Sequence, residues 1–130
     1  MWLRFVAGRP VSAVTIDFLA WCSAQRVAQG FAALLLIWDN ASWHRSYAVR
    51  RWIRQHNQQG KRGAVGGRVV VCQLPSKSPW LTPIEPTWVH GKRAVAEPDC
   101  LLSADELAAR VYAYYGCEPE AHLAMPKKVA

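Results

Sequence analysis

The chain has 130 residues, a length for one domain that buries about two thirds of its unfolded surface without disulfide or metal staples. Its four cysteines, Cys22, Cys72, Cys100 and Cys117, form no CxxC pair, so neither a zinc ribbon nor a disulfide framework is signalled and they read as reduced thiols in a cytoplasmic chain. Net charge is +7 with a pI near 9.6, no apolar run reaches the ~20 residues of a membrane span, and MWLRFVAGRP has no signal-peptide organisation, which points away from membrane and export and toward a polyanionic partner.

Residues 2 to 7, WLRFVA, have strand-like composition and stop at Gly8 and Pro10. From Ser12 to about Ala28, Val14, Phe18, Trp21 and Cys22 recur at helical spacing, with Ser12 as cap and Gly30 as terminator, so a helix is predicted. Leu34 to Asp39 reads as a buried strand that ends on a carboxylate. In a parallel sheet that ending delivers Asp39 to the rim where ligands bind, although Asp39 and Asn40 could equally just turn the chain through local hydrogen bonds.

Ser46 opens a second predicted helix with Val49, Trp52, Ile53 and His56 on one face and Arg50, Arg51 and Arg54 on the other. Gln58 to Arg68, QQGKRGAVGGR, has no period and reads as a flexible loop, and Val69 to Cys72 as a third strand. Between Asp39 and Glu85 there is no acid, while Arg45, Arg50, Arg51, Arg54, Lys61, Arg62, Arg68 and Lys77 all fall there, a one-signed segment suited to nucleic acid.

A further helix is predicted from Pro83 or Pro86 to Val95. Thr82, Pro83 and Glu85 could make a capping box, but Pro86 disfavours the helical region for the residue before it, which would leave the Glu85 side chain free. SADE at Ser103 can form a capping box for a last helix ending at Gly116, and EPEAHLAMPKKVA reads as a loosely ordered tail. The alternation of strands and helices argues for an α/β fold with a mostly parallel sheet flanked by helices. Asp39 and Glu85 would then share one sheet edge, within roughly 8 Å of each other, a pair suited to holding divalent metal against phosphate.

WDNASWH followed by LPSKSPWLTPIEPTW closely resembles the DNxxxH and LPxxSPxLNPIExxW blocks of the DDE-superfamily transposases, in the mariner-like insertion-sequence branch. The resemblance runs from about Trp2 through Gly116. It implies an RNase H-like catalytic domain in which three acidic residues bind two magnesium or manganese ions and cut and join DNA at transposon ends and target. Asp39 matches the second acid and Glu85 the third. Asn40 and His44 match the other fixed letters of the first block as supports of the site edge, and Pro83 and Trp88 match the second block. For DNA contact the reading names Arg45, Arg50, Arg51, Arg54, Lys77, Lys92 and Arg93, with Trp43 and Trp80 as stacking candidates. Trp21, Trp52 and Trp88 are assigned to packing.

Three departures accompany the match. Thr82 stands where the family usually has Asn. The interval from Asp39 to Glu85, 85 − 39 = 46, is longer than is usual in the family, and the excess fits the Gly-rich loop. The family's first acid has no counterpart: Asp17, the only carboxylate before Asp39, lies inside the first helix. The expectation is therefore an N-terminally truncated RNase H-like domain over residues 1–117 with a tail over 118–130, inactive alone and completed by an upstream transposase fragment. Such an enzyme would be homo-oligomeric when complete, and cytoplasmic and nucleoid-associated in a bacterium. The competing expectation is a catalytically inactive DNA-binding remnant.

Overall fold

A computed structural model describes residues 1–9, 11–63, 66–75, 81, 84–96 and 100–125. Its elements are α1 (Ser12–Ala28), β1 (Ala33–Trp38), α2 (Tyr47–Lys61), β2 (Arg68–Gln73), α3 (Glu85–Val95) and α4 (Ala104–Tyr115). β1 and β2 pair in parallel, Ala33 opposite Arg68 through Trp38 opposite Gln73, with α2 as the crossover. The architecture is the expected α/β alternation, realised among the described residues as a two-stranded sheet.

Strand periodicity and helix stripes meet in one core. Leu19 of α1, Trp38 of β1, Val49 and Ile53 of α2 and Val69 of β2 are buried together, with Ile16, Leu34, Leu36 and Trp52 against them. Both helices cover the same face of the sheet. The opposite face carries Leu35 (61 % exposed), Ile37 (42 %) and Val70 (44 %), which corrects the expectation that Leu34 to Asp39 is buried throughout. Among the described residues, α3 and α4 pack on each other and on the N-terminal segment, where Phe5 meets Tyr112 edge-on.

Local chemistry explains most boundaries. Ser46 caps α2 by accepting a hydrogen bond from the Val49 amide, and Ser103 and Glu106 complete a reciprocal capping box on α4, whose end turns on Gly116 in the left-handed conformation. Other boundaries differ from the sequence reading. Ser12 is the first helical residue rather than the cap, a position held by Val11 without a side-chain bond. α2 continues through Gln58 and Lys61, so the loop begins only at Arg62 and turns at Gly63, whose φ is +72°. α3 begins at Glu85 itself with Ile84 before it. Pro86 is tolerated because the first amides of a helix lack intrahelical partners anyway.

Residues 2 to 7 do not form a strand; only Val6 pairs, in a parallel bridge with Leu123. That bridge also revises the tail. The Leu123 amide donates to the Phe5 carbonyl at 2.7 Å, Arg4 donates to the Ala121 carbonyl, and the Leu123 side chain is buried, so the tail is anchored at this point.

Side chains close the sheet unequally at its two edges. Asn57 of α2 donates to the Val69 carbonyl and accepts from the Val69 amide, both at 2.8 Å, and so occupies the outer edge of β2 as a strand would. In the parallel register, Ala32 and Trp38 accept from Arg68 and Leu74, so even-numbered residues of β1 face β2 and Ala33, Leu35 and Ile37 face outward. No strand pairs with that edge among the described residues.

Candidate active site

Asp39 follows the last residue of β1 at the carboxyl end of the parallel pair, the position where open α/β sheets bind ligands. Its Oδ1 accepts from the Ala41 amide at 2.9 Å and is 2.8 Å from His44 Nδ1. The local turn and the presentation of a carboxylate are thus both realised, by different oxygens. Oδ2 makes no hydrogen bond among the described residues, and the side chain is 60 % exposed.

Asn40 and His44 support this edge in distinct ways. Asn40 Nδ2 donates to the Leu74 carbonyl at 2.5 Å, while the Leu74 amide donates to the Trp38 carbonyl at 3.0 Å, so the ends of β1 and β2 are tied beside Asp39. The His44 ring stacks on Trp38 at 4.7 Å between centroids and 8° between planes, with Trp43 edge-on at 5.8 Å. Trp38 is buried, so the imidazole stands on a rigid floor and holds Asp39 from there.

Glu85 is the first residue of α3, exposed, with no hydrogen bond or ion pair among the described residues. A hard divalent cation, which prefers oxygen ligands, fits the free oxygen of Asp39 chemically. Among the described residues, no group of three His, Cys, Asp or Glu side chains is gathered to hold a metal.

The basic residues separate into places. Arg50, Arg51 and Arg54 are exposed on α2, as expected from the helix pattern, and Arg45 precedes its cap. Lys92 and Arg93 are exposed in the last turn of α3, with Lys92 edging an apolar groove beside Leu3 and Phe5, apart from the Asp39 edge. Lys77, Trp80, Thr82 and Pro83 lie outside the described residues. Trp21, Trp52 and Trp88 pack on Trp2, His56 and Tyr115, in keeping with their assignment to packing.

The sequence reading did not find Asn57, Gln73 or the bond of 3.1 Å between Ser23 Oγ and His56 Nε2 that joins α1 to α2. For Asn57 a signal existed: asparagine is a poor helix former, and one in mid-helix invites a search for its partner.

No helix among the described residues is long and apolar enough to cross a membrane. No curated protein and no solved structure matches the chain. The family model described as DDE superfamily endonuclease matches residues 5–108, a span that includes α1, the β1–α2–β2 unit, α3 and both motif blocks. With Asp39 and Glu85 inside that match and a family chemistry of divalent metal and DNA, the chain belongs to the DDE superfamily endonucleases.

Proposed function

We propose that this chain is the larger part of the catalytic domain of an insertion-sequence transposase of the mariner-like branch, cutting transposon ends and joining them to target DNA. The observation that carries the reading is Asp39, held at the carboxyl edge of the parallel pair by His44 and Ala41 with one oxygen free. Glu85 supplies the second carboxylate. The third comes from a strand outside these 130 residues. The outward backbone groups of Ala33, Leu35 and Ile37 give that strand a place to pair.

Two magnesium or manganese ions, when bound by the complete set, supply charge neutralisation and an activated oxygen nucleophile. The chain's own contributions are positional. His44 fixes the direction of the Asp39 carboxylate, Asn40 keeps the strand ends together, and Arg50, Arg51, Arg54, Lys77, Lys92 and Arg93 hold DNA phosphates. The working enzyme is a homo-oligomer in a bacterial cytoplasm, associated with the nucleoid through DNA.

The test is cleavage of transposon-end DNA by the 130-residue chain with and without an upstream fragment carrying the family's first Asp. The expected result is nearly no nicking by the chain alone and metal-dependent nicking once the fragment is added, lost again in Asp39→Asn or Glu85→Gln with DNA binding kept. Strong cleavage by the chain alone would overturn the incompleteness. Salt-sensitive DNA binding without cleavage after complementation would establish the catalytically inactive remnant instead.

A further inference from the structure

A cleft of about 290 Å³ opens beside the Asp39 edge, between the start of α2 and the end of β2. Its polar lining is Arg45, Arg50 and Gln73, and its apolar wall includes Trp38 with the His44 ring stacked on it. Neither guanidinium has a salt-bridge partner among the described residues. Asp39, the acid nearest in sequence, is already held by His44, and no other acid occurs before Glu85. Two arginines lining one cleft with no acid between them repel each other, and an anion there removes the repulsion and accepts their forked donors.

We propose that this cleft seats one backbone phosphate of a DNA strand, with Arg45 and Arg50 donating to its non-bridging oxygens and the Gln73 amide as third donor. The proposal rests on the DNA-processing reading and assigns one strand phosphate to one place. The volume exceeds that of a phosphate alone and admits the attached sugar against the Trp38 and His44 rings. The carboxylate held by His44 and the phosphate held by Arg45 are thereby placed on neighbouring residues, so the strand is registered against Asp39. Other basic residues on α2, such as Arg51, do not line the cleft and contribute only general attraction.

The test is calorimetric titration of the full 130-residue chain at low salt with the phosphorylated dinucleotide pTpT, alongside binding of a duplex. Each of Arg45→Ala and Arg50→Ala is expected to weaken dinucleotide binding by about tenfold or more, the usual worth of a charged hydrogen bond. Gln73→Glu, which leaves both arginines in place and adds repulsion, should do the same, and Arg9→Ala, at an exposed N-terminal position, should not. All these side chains are exposed, and circular dichroism of each variant verifies folding. Unchanged dinucleotide affinity in the three cleft variants overturns the seat, and does so even where duplex binding is strong, in which case the DNA reading stands without it. Cleft-dependent dinucleotide binding without duplex binding supports the seat and removes the DNA reading.

Discussion

At the scale of single residues, the site edge depends on what His44 does with its two faces. Its Nδ1 bonds an exposed carboxylate, an interaction worth about 1 kcal/mol after solvent screening, and its ring face adds roughly another 1 kcal/mol by stacking on Trp38. His44→Ala is therefore expected to lower unfolding free energy by roughly 1–2 kcal/mol, with His44→Phe recovering the stacking part only. Urea unfolding followed by circular dichroism separates the two, and equal losses in both variants would show that stacking contributes nothing. Cys22 provides a second residue-level expectation. Burial pushes its thiol up to about 11, opposed in part by the Arg4 charge, so at pH 8 about one molecule in a thousand carries the thiolate. Alkylation at pH 8 should modify exposed Cys72 and Cys100 quickly and Cys22 only on unfolding, as peptide mapping over time would reveal.

At the scale of elements, local signals and distant partners explain which features were legible. The Ser46 cap, the Ser103 box and the Gly116 terminator act within one turn of helix, and the sequence displays them openly. The resemblance of WDNASWH to the family block likewise marked Asp39 and His44, which a strand end and a short turn bring together with little help from elsewhere. The open face of β1 was not legible, since a run of Leu and Ile looks the same whether one or two helix layers cover it. Nor were Asn57 and Leu123, whose partners lie on other elements. Asn57 satisfies both backbone groups of a residue only 2 % exposed, so Asn57→Ala should cost about 2–3 kcal/mol and open the outer edge of β2. A lower urea midpoint together with faster aggregation is the expected result, and an unchanged midpoint would mean that water replaces the amide freely. The α4 box adds a pH expectation. Hydrogen bonds from the Ser103 amide and hydroxyl hold the Glu106 carboxyl below its ordinary 4.5. A depressed folded value contributes stability above the unfolded value and loses it as pH falls through the folded one. Protection of the α4 amides against exchange should fall as pH drops below about 4.5, and Glu106→Gln should remove that acid dependence, whereas Ser103→Ala, which keeps the amide donor, should only reduce it.

At the scale of the whole molecule, the charge and the sheet make separate demands. Eight cations without an acid among them from Arg45 to Lys77 should give DNA binding that falls steeply with salt, and Arg50→Ala with Arg54→Ala should lower the slope of log affinity against log salt by about one to two units. A flat salt dependence would leave the basic face merely solvated. The sheet poses the harder question, because β1 offers an edge and an apolar face that one layer of helices does not cover. Asn57 guards the edge of β2 at Val69, so an added strand has β1 as its open place to pair. If the upstream fragment completes the domain there, its binding must stabilise the folded chain by mass action, about 2.7 kcal/mol at a hundred times its dissociation constant. The urea midpoint of the chain should then rise with fragment concentration even without metal or DNA, which separates assembly from catalysis. A fragment with proline in the middle of its strand should fail to raise it, since proline withdraws a ladder donor. A fragment that restores cleavage and raises the midpoint equally with and without that proline would place the third carboxylate somewhere other than beside β1, and the open edge would then need a different occupant.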